Sequence, residues 1–472
     1  MRSTVRLVPA CLAGFLLLSG CSGTAPASAP ASKPAASGLA SASAKPAASA
    51  SAAAKPAAPA SAPASTTAAA GGPIRIGYIT DLTGTTAQFG RDGVDGTNLY
   101  FESVNNTVAG RKVEVVAVDD EIKPDVGVTK AKQLVESNKV SMIIGVLNTA
   151  ICYALASYAR DAQVPLIITQ GCASQFYASD PRFASTYVSR LSLVPMALAD
   201  PMAEWAYQQG LRKAGFMTFD QIGGLEAADL FAAAFIKRGG TIVQELHPPF
   251  PNNPDFGPYL AQLDPATDVL FSFEPGIDGL RFAQQLQNYG GQKKPKVLDF
   301  AGVVTDPSNL GQLKDAAVGM VAGQTVDFNS TAPDYQKMVQ AWKAKYGDRP
   351  LSVNVVNAYG TAQAIAGTIQ KVNGNVEDKK AFLDALYAID TQTVKGPQKL
   401  DSTHEPVQNT YIYETVKQQD GGVGFKTLET HPLVPPSGSF TAAQLQKLKP
   451  GQNKGKWPGF TKTQLDQLLS GP

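Results

Sequence analysis

Between residues 73 and about 429 the chain alternates short apolar runs with longer amphipathic ones, and this alternation limits the possible folds more than any other feature. Residues 74–79, 112–118, 140–145 and 165–169 read as strands. Residues 93–104, 126–137 and 150–162 between them read as helices. The pattern restarts after Ser192, with helices over 195–210, 227–237, 256–263 and 279–289 and strands over 214–219, 241–246 and 269–273. Such βα repetition predicts parallel sheets covered by helices on both faces. About 360 residues in two series exceed one ordinary core, so two domains are expected. Helices over 334–346, 353–372 and 378–389 then precede a strand-like stretch at 410–416. From His431 onward the chain is rich in Pro, Gly and Lys and reads as an irregular tail.

The N-terminus reads as a targeting segment. Arg2 and Arg6 precede an apolar stretch over residues 7–18, too short to span a bilayer, which takes roughly 20 apolar residues. Leu18-Ser19-Gly20-Cys21 resembles the lipobox of bacterial lipoproteins, in which the thiol of Cys21 would be acylated and become the new N-terminus. The alternative is an ordinary secretory leader with an incidental cysteine. Residues 22–72 are almost wholly Ala, Ser and Pro, and Lys33, Lys45 and Lys55 are their only charges. That composition buries too little apolar surface to offset the entropy of ordering, so an extended tether is expected. The expected layout is a signal peptide over 1–20 and a tether over 21–72, with a soluble domain held at the extracytoplasmic face of a membrane, periplasmic or cell-surface.

Charge and cysteines narrow the chemistry. The chain has 41 Lys and Arg against 39 Asp and Glu, and loss of Arg2 and Arg6 with the leader balances them. A balanced chain without a basic cluster argues against nucleic acid as partner. Cys11 leaves with the leader and Cys21 takes lipid, so Cys152 and Cys172 remain in an oxidising setting, either paired or as two buried thiols. Cys152 falls in the first turn of one helix and Cys172 just past the neighbouring strand, within bridging reach. The histidines His247, His404 and His431 are scattered without metal spacing, and no nucleophile elbow, phosphate loop or dinucleotide fingerprint is present. No catalytic residue, metal or cofactor is expected. Asp119-Asp120 reads as a strand end capping the turn after it.

Several short motifs occur in a set order. Ile76-Gly77-Tyr78-Ile79-Thr80-Asp81-Leu82-Thr83-Gly84 is a strand entering a Thr/Gly turn, followed by Ala87, Phe89 and Gly90. Gly110-Arg111-Lys112-Val113, Val118-Asp119-Asp120, Lys139 through Gly145, and Val164-Pro165-Leu166-Ile167-Ile168 come next. Asp255-Phe256 and Gln284-Gln285-Leu286 leading to Gly290 and Gly291 follow. Together these resemble the periplasmic leucine/isoleucine/valine-binding protein family, the type 1 solute receptors of ABC importers. The resemblance implies an α/β fold of two Rossmann-like lobes, each a parallel sheet flanked by helices, closing on a small molecule that a membrane permease receives. On that pattern lobe one holds 73–191 and 324–395, lobe two holds 192–323 and 396–430, a tail covers 431–472, and the protein is a monomer. A sensor of the same fold that signals through a partner without transport is the alternative.

The strand ends carry the expected site. Asn148 or Thr149 stands where a helix begins at Ala150, and a helix start offers unpaired N–H groups to a carboxylate. In the family a Ser or Thr at the position of Thr149, with adjacent N–H groups, holds the ligand carboxylate; otherwise Thr149 only caps its helix. Gly171-Cys172-Ala173 matches a second family contact made through backbone groups. Amino-acid receptors usually place an acid on lobe two for the ligand ammonium. The matching strand end here reads Phe300-Ala301-Gly302-Val303-Val304, with Gly302 at the ligand and no acid before Asp306. Glu274, in Phe273-Glu274-Pro275, is either the missing ammonium partner or a solvated rim charge. Phe89, Phe273 and Tyr177 supply apolar walls, so the ligand is a branched-chain amino acid or an aromatic or hydrophobic acid.

Overall fold

The computed structural model describes residues 71–171, 185–289 and 294–471. The leader, the tether with Cys21, and Cys172, Ala173 and Tyr177 lie outside the described residues. The first lobe is built from β1 (Ile74–Thr80), α1 (Ala87–Ser103), β2 (Thr107–Val108), β3 (Arg111–Asp119), α2 (Pro124–Glu136), β4 (Met142–Gly145), α3 (Thr149–Ala162), β5 (Leu166–Ile168) and β6 (Val188–Arg190). Its sheet runs β2-β3-β1-β4-β5-β6, parallel except for the short β2–β3 hairpin. Successive residues of β1 serve opposite faces, as strand geometry requires. Ile76 and Tyr78 pack with Ile365 and Ile369 on one face, and Ile79 packs with Leu134, Ile151 and Leu155 on the other.

The second lobe follows with α4 (Pro195–Gln208), β7 (Lys213–Thr218), α5 (Ile222–Lys237), β8 (Thr241–Leu246), α6 (Gly257–Leu260), β9 (Val269–Phe273), α7 (Ile277–Gln287), β10 (Lys296–Asp299), α8 (Pro307–Leu313) and β11 (Val321–Gln324). Strands β8-β7-β9-β10-β11 are parallel neighbours in that order. Phe216 and Phe271 bury one sheet face against Phe231 and Phe235, while Met217 and Leu270 bury the other against Phe256 and Phe282. The two-lobed α/β architecture expected from the alternating pattern is the one observed.

The chain then returns to the first lobe. Helices α9 (Pro333–Tyr346), α10 (Val353–Lys371) and α11 (Lys379–Tyr387) precede the hairpin β12 (Asp390–Thr393) and β13 (Gly396–Leu400), and the long strands β14 (Pro406–Lys417) and β15 (Val423–Val434). Leu400 packs in the first core with Ile74 and Phe382, whereas Ile412 packs in the second with Phe216. The stretch around 396–400, assigned from sequence to the second lobe, therefore packs on the first, because β13 folds back on β12 before β14 crosses over. β14 and β15 add antiparallel strands beside β11.

The tail is not irregular. It forms α12 (Ala442–Leu448) and α13 (Lys462–Ser470), each opened by a reciprocal capping box from Thr441 with Gln444 and Thr461 with Gln464. Leu445, Leu448, Trp457 and Leu465 join the second core.

Candidate functional site

The C-terminal ends of the strands of both lobes face one cleft, the usual place for ligands in open α/β sheets. A cavity of about 100 Å³ lies there. From the first lobe it is lined by Asp81 and Thr86 after β1, Phe89 at the start of α1, Leu147 and Asn148 after β4, Thr149 at the start of α3, and Gln170 and Gly171 after β5. The second lobe contributes Phe219 and Gln221 after β7, Gly223 and Glu226 on α5, Phe250 after β8, Phe273 and Pro275 after β9, and Phe300 and Ala301 after β10. The first turn of α10 adds Val353, Asn354 and Asn357.

The second-lobe wall is aromatic. The ring centroid of Phe219 lies 4.8 Å from that of Phe250 and 5.0 Å from that of Phe273, and Phe273 stands edge-on to Phe300 at 4.9 Å. These spacings suit attractive ring pairs. Phe89 of the first lobe lines the same cavity. Gln170 fixes it by accepting the Thr80 hydroxyl at 2.7 Å and donating to the Phe89 carbonyl at 2.9 Å.

One end of the cavity is polar and brings two helix starts together. Asn148 caps α3, its Oδ1 accepting the N–H groups of Ala150 at 2.9 Å and Ile151 at 3.4 Å. The amide of Ala150 is therefore engaged, and Ala150 is not among the lining residues. Capping falls to Asn148, so Thr149 is not the cap and lines the cavity instead. Across the cleft α5 starts without a side-chain cap. A Cβ at Gly223 would stand 2.8 Å from Thr149 Oγ1, so a larger residue at 223 would make the Thr149 side chain shift. Both helix starts carry partial positive charge. Among the described residues no Lys, Arg or His lines the cavity, and Asp81 and Glu226 are its acids, so an anion there would rest on the neutral donors and helix ends.

The lobes are drawn together over the cavity. Asn148 donates to Gln221 at 3.4 Å, Tyr153 of α3 donates its hydroxyl to Glu226 of α5, and Thr85 donates to Asn252 at 2.8 Å. The N–H of Val353 on α10 meets Asp306 at 3.0 Å.

The acids at the site differ in availability. Asp81, 1 % exposed, accepts the Thr86 hydroxyl. It neighbours Asp120, and burial pushes both carboxyls up, Asp120 to about 9 with repulsion from Asp81 adding to the effect. A proton held between the two keeps the pair from carrying two buried charges. Asp119 and Asp120 cap the turn after β3, accepting N–H groups of Leu82, Glu121 and Ile122.

Glu274 departs from both sequence-based roles. It is 0 % exposed, so it is no solvated rim charge, and it is not among the residues that line the cavity, although Phe273 and Pro275 on either side of it are. Neither of its carboxylate oxygens has a hydrogen-bond partner among the described residues, and burial, with Asp278 nearby, raises its carboxyl well above the usual range. Phe273 takes the cavity-lining position, and Glu274 next to it is fully buried. Gly302 also stays off the cavity. At φ +57° a Cβ there would fall 2.1 Å from the Gln324 side-chain nitrogen, and the neighbouring Ala301 lines the wall instead.

Of the residues singled out from sequence, Phe89, Asn148, Thr149, Gly171 and Phe273 meet at this cavity; Cys172, Ala173 and Tyr177 lie outside the described residues. Sequence reasoning missed Phe219, Phe250, Glu226 and the α10 contribution. The Gln221-Ile222-Gly223-Gly224 run was a usable signal, since two glycines at a helix start permit close approach. Among the described residues no group of three or more His, Cys, Asp or Glu could hold a metal ion.

Comparison with known proteins agrees with this architecture. A family model described as periplasmic binding protein matches residues 73–422. A relative from Brucella melitensis called Leu/Ile/Val-binding protein homolog 6 is 26% identical over 369 residues, 77% of this chain and 93% of the relative. An ABC transporter substrate-binding protein from Sphaerobacter thermophilus superposes with a TM-score of 0.70 at 27% identity, covering 76% of this chain and 98% of that one. A solute-binding protein of an ABC transporter from Rhodopseudomonas palustris, solved with 3,4-dihydroxybenzoic acid, superposes with a TM-score of 0.71 at 29% identity over 77% of this chain and 98% of that one. With two lobes, an interlobe cavity and a family match over most of its length, the chain belongs to the periplasmic binding proteins, as a non-catalytic solute-binding protein of an ABC import system that takes a small ligand between its lobes.

Proposed function

We propose that the ligand is an aromatic monocarboxylate, and that the protein captures it outside the cytoplasm for a membrane permease. The observation that carries this reading is the wall of Phe219, Phe250, Phe273 and Phe300 opposite Phe89. A flat ring slots between such faces with little polar surface left unpaired. The carboxylate would lie at the polar end, against the Thr149 hydroxyl and the starts of α3 and α5. An amino acid fits less well, because its buried ammonium needs an ionised acid. Burial beside Asp120 pushes the Asp81 carboxyl up towards its neutral form, Glu226 takes the Tyr153 hydroxyl that joins the lobes, and Glu274 is not among the lining residues. The Rhodopseudomonas relative was solved with an aromatic acid, which favours the same class. The Brucella relative's name points instead to branched-chain amino acids.

A thermal-shift screen of the soluble domain tests this. A ligand selective for the folded state raises the unfolding midpoint in proportion to the logarithm of its concentration over Kd. Benzoate and its hydroxylated forms are expected to raise it; a response to leucine, isoleucine or valine alone would overturn the assignment.

The same reading places the domain on a lipid anchor at Cys21, at the end of the tether over 21–72. It also pairs Cys152 with Cys172. Cys152 is wholly buried on α3 and disulfide-bonded, and the bridge would brace the rim that carries Thr149. Mass spectrometry of the unreduced mature protein after alkylation is expected to find neither Cys152 nor Cys172 labelled; two labelled thiols would contradict the pairing.

A further inference from the structure

The family match ends at residue 422, yet the chain beyond it reaches the back of the ligand site. The loop between α12 and α13 folds onto α5 and the edge strand β8. Asp229 of α5, 1 % exposed, accepts three hydrogen bonds from this loop: the Gly451 N–H at 2.6 Å, the Asn453 side chain at 3.0 Å and the Trp457 indole N–H at 2.6 Å. Glu245 of β8 accepts the N–H groups of Gly455 at 2.7 Å and Trp457 at 2.9 Å. Pro458 bridges Ile242 at the sheet edge, covering backbone groups that would otherwise be open to pairing. Trp457 is 1 % exposed. A surface appendage has no need of so many buried, directional contacts.

Glu226 sits three residues before Asp229, on the same side of α5. It lines the cavity and receives the Tyr153 hydroxyl from the first lobe. Gly451 packs directly behind it. A Cβ at 451 would lie 3.1 Å from Glu226 Cγ and 3.1 Å from the side chain of Ile222, the first residue of α5, and the backbone there has φ +84°. The loop thus presses on the stem of the side chain whose carboxylate joins the lobes.

We infer that the C-terminal segment is a positioning element of the cleft: it holds Glu226 where Tyr153 can reach it, and so sets how readily the lobes close on a ligand. Gly451, Trp457 and Asp229 act through α5 and touch no ligand themselves. The inference rests on the cleft being the ligand site, and does not depend on which ligand enters.

A double-mutant cycle of Gly451→Val and Tyr153→Phe tests it, with two readouts. One is the radius of gyration of the ligand-free protein by small-angle scattering; the other is calorimetric affinity for 3,4-dihydroxybenzoate as probe. Each single variant is expected to expand the protein and weaken the probe about fivefold, the worth of one hydrogen bond. The double variant should be no worse than either single one. A merely structural brace would lower thermal stability while the two effects multiplied independently. Independent effects, or a Gly451→Val protein unchanged in both readouts, would overturn the inference. If Gly451→Val does not fold, Trp457→Phe, which removes the indole donor and part of the ring volume while keeping an aromatic side chain, takes its place under the same criterion. Failure of the aromatic reading alone would show as a wild-type protein that ignores the probe, with the scattering cycle still decisive.

Discussion

Replacing Phe273 by alanine is expected to weaken binding of an aromatic carboxylate by about 100-fold, or ~2.8 kcal/mol at 1.4 kcal/mol per tenfold. Phe273 stands at the centre of the aromatic wall, in contact with Phe219 on one side and Phe300 on the other. Truncation removes the ring against which the ligand would lie and costs each neighbour one of its two ring partners. Each aromatic pair is worth about 0.5–1.5 kcal/mol beyond the area it buries, and the lost apolar burial adds to that. Phe273→Leu keeps most of the apolar contact without the ring, so its loss should be only about tenfold. Because Phe273 is half-buried rather than enclosed, the ligand-free protein should keep most of its stability. Calorimetry on the three proteins measures this. Equal affinities for wild type and Phe273→Ala would remove the aromatic wall from the binding account.

The second large effect concerns the hinge. Arg190 ends β6 and Glu405 immediately precedes β14, where the chain passes between lobes; their ion pair spans 3.0 Å, with side chains 1 % and 3 % exposed. Burial pushes the Glu405 carboxyl up to about 7 although the guanidinium opposes it. The partners therefore differ in what they can do alone. Arg190 stays charged at any working pH, so Glu405→Leu leaves a buried cation without the carboxylate that faces it. That should cost about 3–5 kcal/mol at pH 6 and somewhat less at pH 8, because the variant lacks the stability that wild type loses as Glu405 ionises. Arg190→Met leaves a carboxyl that can take up a proton, so its cost should be smaller at pH 6 and grow towards pH 8. For wild type the sign follows from the raised value. Glu405 favours the folded state fully below the ordinary carboxylate range near 4.5, and that contribution is lost as pH rises through about 7. Glu405→Gln removes this slope, so its stability relative to wild type should rise over that window by at most ~1.4 kcal/mol per pH unit. Urea unfolding at the two pH values checks all three variants; equal, pH-independent costs for Glu405→Leu and Arg190→Met would contradict the argument.

The fold was legible where structure is local. Strand, turn and helix alternate within stretches of about a dozen residues, so β8 and β9 could be bounded at both ends from hydrophobic pattern alone. Site residues at strand ends were legible for a topological reason: parallel sheets put those ends at the cleft, which located Phe89, Thr149, Gly171 and Phe273. The wall itself was not legible, because Phe219, Phe250, Phe273 and Phe300 come from four separate loops that only the sheet order brings together. The Asp81–Asp120 pair forms across neighbouring strands β1 and β3 for the same reason. The burial of Glu274 was not legible either, because the chain turns after β9, where strand alternation no longer says which way a side chain points. The tail helices did carry a readable signature, Thr441-x-x-Gln444 and Thr461-x-x-Gln464, which the surrounding Pro, Gly and Lys concealed.

The central claim is that the interlobe cavity selects an aromatic ring bearing one carboxylate. Titration calorimetry of the wild-type protein with 3,4-dihydroxybenzoate and, separately, with leucine tests it most directly. The account predicts one molecule of the aromatic acid bound per chain, with leucine at least about 100-fold weaker. Leucine binding more tightly than the aromatic acid would contradict it.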